Sequence, residues 1–163
     1  MNAFAPDAWH DFFVAEVGAS AALAGLVIVA VSINTATILK SPTLPGRAAE
    51  TITLLAGVLL LSTLMLVPGQ PPEVMALELF LVGALVLGVT LFIQVRAWPR
   101  RHPDEQFWLR LLFSLGAALP LLLAGGSFVV GAGGGLYWLV PAVASALIGG
   151  IVNTWILLVE ILR

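Results

Sequence analysis

Few side chains in this sequence could take part in catalysis or bind a metal ion. The chain has two histidines, His10 and His102, and no cysteine, which excludes disulfides, thiolate metal sites and cysteine nucleophiles. Asp7, His10 and Asp11 have a helical i, i+3, i+4 spacing suited to a divalent ion, but Asp7 fits a helix N-cap equally well. Ser127 follows two glycines without a histidine placed to activate it. We therefore predict no enzyme, no metal site and no cofactor.

The remaining polar residues of interest lie inside long apolar runs. An acid at membrane depth is costly and is read as functional by default. However, Glu16, Glu50 and Glu160 fall near the ends of their runs, where headgroups or water are within reach. Glu50 falls in the first turn of the second run, where a carboxylate complements the helix dipole, and Glu160 can pair with Arg163 or Arg110. The candidates for a hydrated path or a helix interface are Glu16, Ser20, Asn34, Glu78, Asn153 and Glu160.

Small residues at i, i+4 spacing form a second group of candidates. Such spacing lets helix backbones approach closely, and dispersion and weak polar contacts then hold the helices together in lipid. The contact could lie inside one subunit, at a seam between subunits, or along a narrow central path. The candidate packing residues are Gly18, Ala22, Gly25, Ala146, Gly149 and Gly150.

The composition predicts that these residues are carried by membrane-spanning helices. Of the 163 residues 60% are hydrophobic and 10% are charged, and the mean hydropathy is +1.07, far from the usage of soluble proteins. Each of five apolar runs reaches the roughly 20 residues that cross the hydrocarbon core as a helix. We predict an all-α membrane protein that forms one domain over residues 1–163. Its expected spans are about 12–39, 48–67, 74–95, 107–130 and 136–162.

All seven basic residues fall on one side of the membrane when these five spans alternate in direction. Lys and Arg in short loops favour the cytoplasm. We therefore predict an N-terminus outside and a C-terminus in the cytoplasm. The basic residues are Lys40, Arg47, Arg96, Arg100, Arg101, Arg110 and Arg163. Interfacial aromatic residues are expected outside at Trp9, Phe12, Phe13, Tyr137 and Trp138, and inside at Trp98, Phe107 and Trp108.

Four runs of sequence carry a resemblance to a known group of proteins: WHDFF (9–13), GASAALAGL (18–26), VAVSIN (29–34) and VNTWILLVEI (152–161). Together they resemble an uncharacterised family of small bacterial integral membrane proteins. The resemblance covers most of the chain and implies a bacterial cytoplasmic (inner) membrane location. It carries over no established activity.

Two functions remain open. In the first, a homo-oligomer forms a channel-like path for ions or a small solute, lined by Ser20, Asn34 and Asn153, with the outer acids at its mouth. In the second, the protein is a non-catalytic accessory or modulator subunit packed against a larger membrane protein complex, and its polar residues hold helices together. The expected partners are the lipid bilayer, further copies of the chain and, in the second case, that larger protein. The third loop is too short and too acidic to bind nucleic acid.

Overall fold

The computed structural model describes residues 2–98 and 107–161, with the side chains of Glu160 and Ile161 outside the described part. Five helices in this part are long and apolar enough to cross a membrane, which confirms the predicted all-helical fold and fits a multi-pass membrane protein. One additional short helix follows the first span. The helices are α1 (His10–Ile33), α2 (Thr35–Ile38), α3 (Leu44–Met65), α4 (Pro72–Ala97), α5 (Phe107–Val130) and α6 (Leu139–Ile161).

Prolines and turn residues determine where several of these helices begin. Pro45 lies in the first turn of α3 and Pro72 opens α4, positions where a missing backbone N–H leaves no hydrogen bond unmade. The Ser41 hydroxyl accepts hydrogen bonds from the backbone N–H groups of Thr43 and Leu44, both at 3.4 Å. These short connections make consecutive long helices antiparallel neighbours.

Helices α3, α4, α5 and α6 form a closed ring, because each packs against the next and α6 packs back against α3. Helix α1 lies outside this ring and packs mainly against α3. The ring encloses an apolar core, and one gap in it measures about 10 Å³ and is lined by residues such as Leu54, Val86, Leu121 and Val143. That gap offers no polar side chain to a water molecule. This part of the bundle interior is therefore apolar and closely packed.

Aromatic contacts identify two ends of the bundle. The rings of Trp9 and Tyr137 meet at 5.0 Å in an edge-to-face arrangement, and we call this side the Trp9 end. At the opposite end the rings of Trp98 and Phe107 meet at 4.8 Å. We call that side the Lys40 end, because the chain between α2 and α3 also lies there. The predicted outer and inner aromatic residues are thus separated as expected.

One turn at the Trp9 end requires glycine. Gly135 has a positive φ of +52°, and a Cβ at this position would lie 2.1 Å from the backbone oxygen of Ala3. Any larger residue would strain the backbone and displace the N-terminal segment. The glycine-rich turn therefore holds the N-terminus against the start of α6.

Two helix boundaries differ from the predicted spans by four or more residues. The first span was expected to continue to residue 39, but α1 ends at Ile33 and Asn34 adopts φ −105° and ψ 13°. The side chains of Asn34 and Thr35 bond the carbonyl oxygens of Ala30 and Val31, both at 2.9 Å, and such back-bonding bends or ends helices. Helix α3 begins at residue 44 rather than 48, because the Pro45 turn starts it before the apolar run.

Candidate functional site

Four buried polar side chains from three helices meet near the Lys40 end of the ring. Glu50 belongs to α3, Gln94 to α4, and Arg110 and Ser114 to α5; we call these four residues the polar cluster. Glu50 and Ser114 have no exposed surface, while Gln94 and Arg110 are 2% and 4% exposed. At a rise of 1.5 Å per residue, they lie roughly 7–14 Å from the middle of their helices. The cluster is therefore at membrane depth, close to one boundary of the hydrocarbon.

Glu50 and Arg110 form the ionic part of the polar cluster. The Nε and Nη2 groups of Arg110 both donate to Oε2 of Glu50, at 2.7 and 2.5 Å. The two charges cancel, and the contact links α3 to α5 across 60 residues of sequence. Burying two charges costs several kcal/mol per ion, and direct hydrogen bonds of this kind are what offsets that cost.

The other carboxylate oxygen of Glu50 is bonded to neutral groups. Its Oε1 accepts hydrogen bonds from Nε2 of Gln94 and from the Ser114 hydroxyl, the latter at 3.0 Å. Gln94 Nε2 also donates to the Ser114 hydroxyl at 2.8 Å. Both carboxylate oxygens thus have donors, whereas Oε1 of Gln94 is buried without a hydrogen-bond partner in the described part of the chain. The polar cluster closes on itself and ties α3, α4 and α5 together.

Further buried polar residues lie at the same height in the bundle. A Cβ added to Gly149 on α6 would lie 2.8 Å from Phe113 Cβ on α5 and 3.4 Å from Leu54 on α3. One helical turn closer to the Lys40 end, α3 and α5 carry the polar cluster and α6 carries Asn153. Asn153 is 2% exposed, and its Nδ2 has no hydrogen-bond partner among the described residues. Arg47, one turn before Glu50 on α3, is 6% exposed. This end of the bundle therefore has a polar interior.

The predicted path residues do not come together. Ser20 has no exposed surface and donates to the carbonyl oxygen of Glu16 at 2.5 Å, within its own helix. Asn34 is half-buried and bonds its own helix, and Asn153 lies inside the bundle. Ser20 and Asn153 are therefore covered by this chain's own helices, so they do not line a shared open space.

The predicted acids are also separate. Glu16 is half-buried on the side of α1 that faces the ring, with Oε2 buried and without a hydrogen-bond partner in the described residues. Glu78 accepts a hydrogen bond from Gln70 Nε2 at 3.0 Å near the Trp9 end. The side chain of Glu160, like Arg163, lies outside the described residues. Asp7, His10 and Asp11 form no metal-binding group in the described part of the structure.

The small residues of α6 and α1 have opposite surroundings. Ala146, Gly149 and Gly150 are buried in the ring, where Gly150 approaches the side chain of Leu55. Gly18, Ala22 and Gly25 are exposed on the side of α1 away from the ring. A Cβ added to Gly18 or Gly25 would meet nothing within 4 Å. The same kind of spacing is thus used for internal packing in α6 and left uncovered in α1.

The sequence predictions missed the polar cluster. We expected Glu50 in a first helical turn, close to headgroups or water, but α3 begins at residue 44 and Glu50 is fully buried in its second turn. Arg110 pairs with Glu50, a contact that the sequence analysis did not predict, since it offered Arg110 only as one of two possible partners of Glu160. Counting residues from the Lys40 end would have indicated the cluster, because Gln94 and Arg110 are each the fourth residue from a helix end. That count puts a base and an amide at similar depth, and the acid Glu50 is the seventh residue of α3 from the same end.

Comparisons of this chain with protein-family models, curated proteins and solved structures gave no match. The resemblance to a bacterial membrane family therefore stays a prediction, and the functional argument rests on the geometry of the chain itself.

Proposed function

We propose that this protein is a non-catalytic subunit of a membrane assembly, which associates with another transmembrane helix through the exposed face of α1. The observation that carries the proposal is the uncovered stripe of Gly18, Ala22 and Gly25. The partner is a second copy of this chain or a larger membrane protein. The expected setting is a bacterial inner membrane, with the Trp9 end outside and the Lys40 end in the cytoplasm.

The character of the α1 face supports packing more than conduction. Between residues 14 and 28, every exposed residue of α1 is apolar, so a partner helix would meet no polar lining there. Close backbone approach across small residues is the usual basis of helix association in lipid. The α1 face also lies outside a ring that is already closed, so association there needs no rearrangement of the core.

The polar cluster fits a structural role in the same proposal. Its charges are paired and its carboxylate oxygens are occupied by donors from this chain. Such a network fixes the relative height of α3, α4 and α5 and gives α1 a rigid support. A path for ions or a small solute stays a prediction that needs its own test.

The test of association uses matched glycine variants. Gly18→Leu/Gly25→Leu should leave the fold intact, because both positions have free space, and should weaken association by about 1–2 kcal/mol, or roughly tenfold. Gly88→Leu is the control, since Gly88 is exposed on α4 and also has nothing within 4 Å. Association would be measured by chemical crosslinking, without disulfides, and by single-molecule photobleaching in bilayers. Both measurements would be made with and without added extract of native membranes.

Different results separate the hypotheses. Crosslinking between identical chains that is lost in the double variant identifies a second copy as the partner, and loss of a larger crosslinked species identifies a different protein. Equal association of the double variant and the Gly88→Leu control contradicts the proposal. Selective flux into proteoliposomes that Asn153→Ala or Glu16→Gln abolishes would instead support the path.

A further inference from the structure

A lateral groove between α1 and α6 has the dimensions and chemistry of a lipid site. The segments that precede the two helices meet at the Trp9 end, where Trp9 contacts Tyr137, and α1 and α6 themselves have little contact with each other. Leu55 of α3 contributes to the wall between them, with Leu26 on the α1 side and Ile151 on the α6 side. The enclosed volume is about 230 Å³. The groove is thus a wedge that is closed at one end of the bundle.

The extent of the groove argues for a hydrocarbon chain and against a spanning helix. Its wall begins at Leu55 and Gly150, near the middle of α3 and α6, and continues to Leu158. Eight residues of α6 give a length of about 12 Å, close to half of the roughly 30 Å hydrocarbon core. A transmembrane helix would need a seat along the whole thickness. An acyl chain from the leaflet at the Lys40 end needs only this half.

The surface that lines the groove is apolar. Thr154 carries the one hydroxyl on the wall, and this hydroxyl donates to the carbonyl oxygen of Gly150 at 2.7 Å. Trp155 also lines the groove, but almost none of the lining surface is polar. Apolar voids of about 150 Å³ are large enough to hold benzene, so this groove has room for a longer hydrocarbon segment. The groove therefore offers dispersion contacts and no hydrogen bond to a ligand.

A basic residue follows the end of the groove in the sequence. A second small apolar gap, between Val27 and Leu158, continues from the groove to Ile38. Lys40 follows Ile38 by two residues and is exposed. An ammonium group at this boundary attracts the phosphate of a lipid headgroup, by about 1 kcal/mol for an anionic membrane surface.

We propose that this groove binds one phospholipid of the leaflet at the Lys40 end, with an acyl chain between α1 and α6 and its phosphate near Lys40. The site holds an anionic lipid in preference to a zwitterionic one. It is independent of the association face, because Gly18, Ala22 and Gly25 do not line the groove.

Native mass spectrometry tests the site. The full chain is reconstituted in vesicles of equal phosphatidylglycerol and phosphatidylcholine and then extracted in mild detergent. We expect about one retained phospholipid per protein molecule, because the wedge has room for one acyl chain. The retained lipid should be mainly phosphatidylglycerol. Ile151→Trp fills the wedge and should abolish retention. Leu112→Trp is the control, because Leu112 is 63% exposed on α5 in the same half of the bundle, away from the groove.

The headgroup contact has its own pair of variants. Lys40→Gln should keep the retained lipid but remove the preference for phosphatidylglycerol. Arg96 is an exposed base of α4 at the Lys40 end, and Arg96→Gln should keep both the lipid and the preference. Equal retention by the Ile151→Trp and Leu112→Trp variants, or a random number of lipids on all variants, overturns the site. Retention that Gly18→Leu/Gly25→Leu leaves unchanged separates this site from the proposed association face.

Discussion

Removing the two charged residues of the polar cluster, singly and together, gives the most direct test of its structural role. Glu50→Leu leaves the Arg110 guanidinium buried and opposite no charge, and arginine cannot give up its proton. Breaking a buried pair in this way costs about 3–5 kcal/mol. Because Arg110 is the fourth residue of α5, its long side chain can turn toward the boundary, so we expect about 3 kcal/mol.

The opposite single change should be milder. In Arg110→Leu, Glu50 keeps its hydrogen bonds from Gln94 and Ser114, and a carboxyl group, unlike a guanidinium, has a neutral form that is less costly to bury. We expect a loss of about 1–2 kcal/mol, similar to one unsatisfied buried group. The double variant removes both charges and replaces them by apolar volume. It should lie within about 1 kcal/mol of the natural chain, because such replacements are often neutral.

A double-mutant cycle measures these differences. The free energy of unfolding would be obtained in mixed micelles as the fraction of denaturing detergent rises, for the natural chain, both single variants and the double variant. Glu73→Leu serves as the control, since Glu73 is an exposed acid of α4 and should change stability by less than about 0.5 kcal/mol. A double variant whose loss equals the sum of the single losses would refute the argument, because the two side chains would then contribute independently.

Three smaller changes test other contacts. Gly149→Ala should cost about 1–3 kcal/mol in the same unfolding assay, because its Cβ would lie 2.8 Å from Phe113 Cβ, whereas Gly18→Ala should be neutral; equal effects would contradict the packing of α6. Gly135→Ala should speed hydrogen exchange across the turn before α6, because the new Cβ would collide with a backbone oxygen, and unchanged exchange would count against that contact. Ser114→Ala should cost about 1–3 kcal/mol by removing a donor to the buried carboxylate, and a neutral result would mean that water replaces the hydroxyl.

Several helix ends could be read from the sequence, and others could not. Helix α5 has its expected bounds, residues 107–130, whereas the first turns of α3 and α4, which contain Pro45 and Pro72, lie before the starts expected at residues 48 and 74. The end of α1 at Ile33 was missed, because hydropathy does not register the side chains of Asn34 and Thr35 that bond carbonyl oxygens of the preceding turn. Polar side chains that compete for the hydrogen bonds of a helix are present in the sequence, but a hydropathy average does not detect them.

The sequence also indicated only some features of the candidate site. An intramembrane acid such as Glu50 was visible as a costly residue, yet the sequence analysis related it to the helix dipole and named no partner for it. The choice of Arg110 depends on which helices are neighbours in the ring, and the pairing spans 60 residues. The small residues show the same limit, since Gly149 is covered by Phe113 while Gly18 is uncovered.

The sequence by itself determined that this chain folds with five helices long and apolar enough to cross a membrane, because length and hydropathy decide whether a segment can satisfy its backbone in lipid. Only the tertiary structure decided that α1 lies outside a closed ring and that Glu50 is paired and buried. Hydropathy is a property of one helix and is nearly the same on all faces of an apolar span. Which face meets protein and which meets lipid is settled by packing between helices, which no single segment contains.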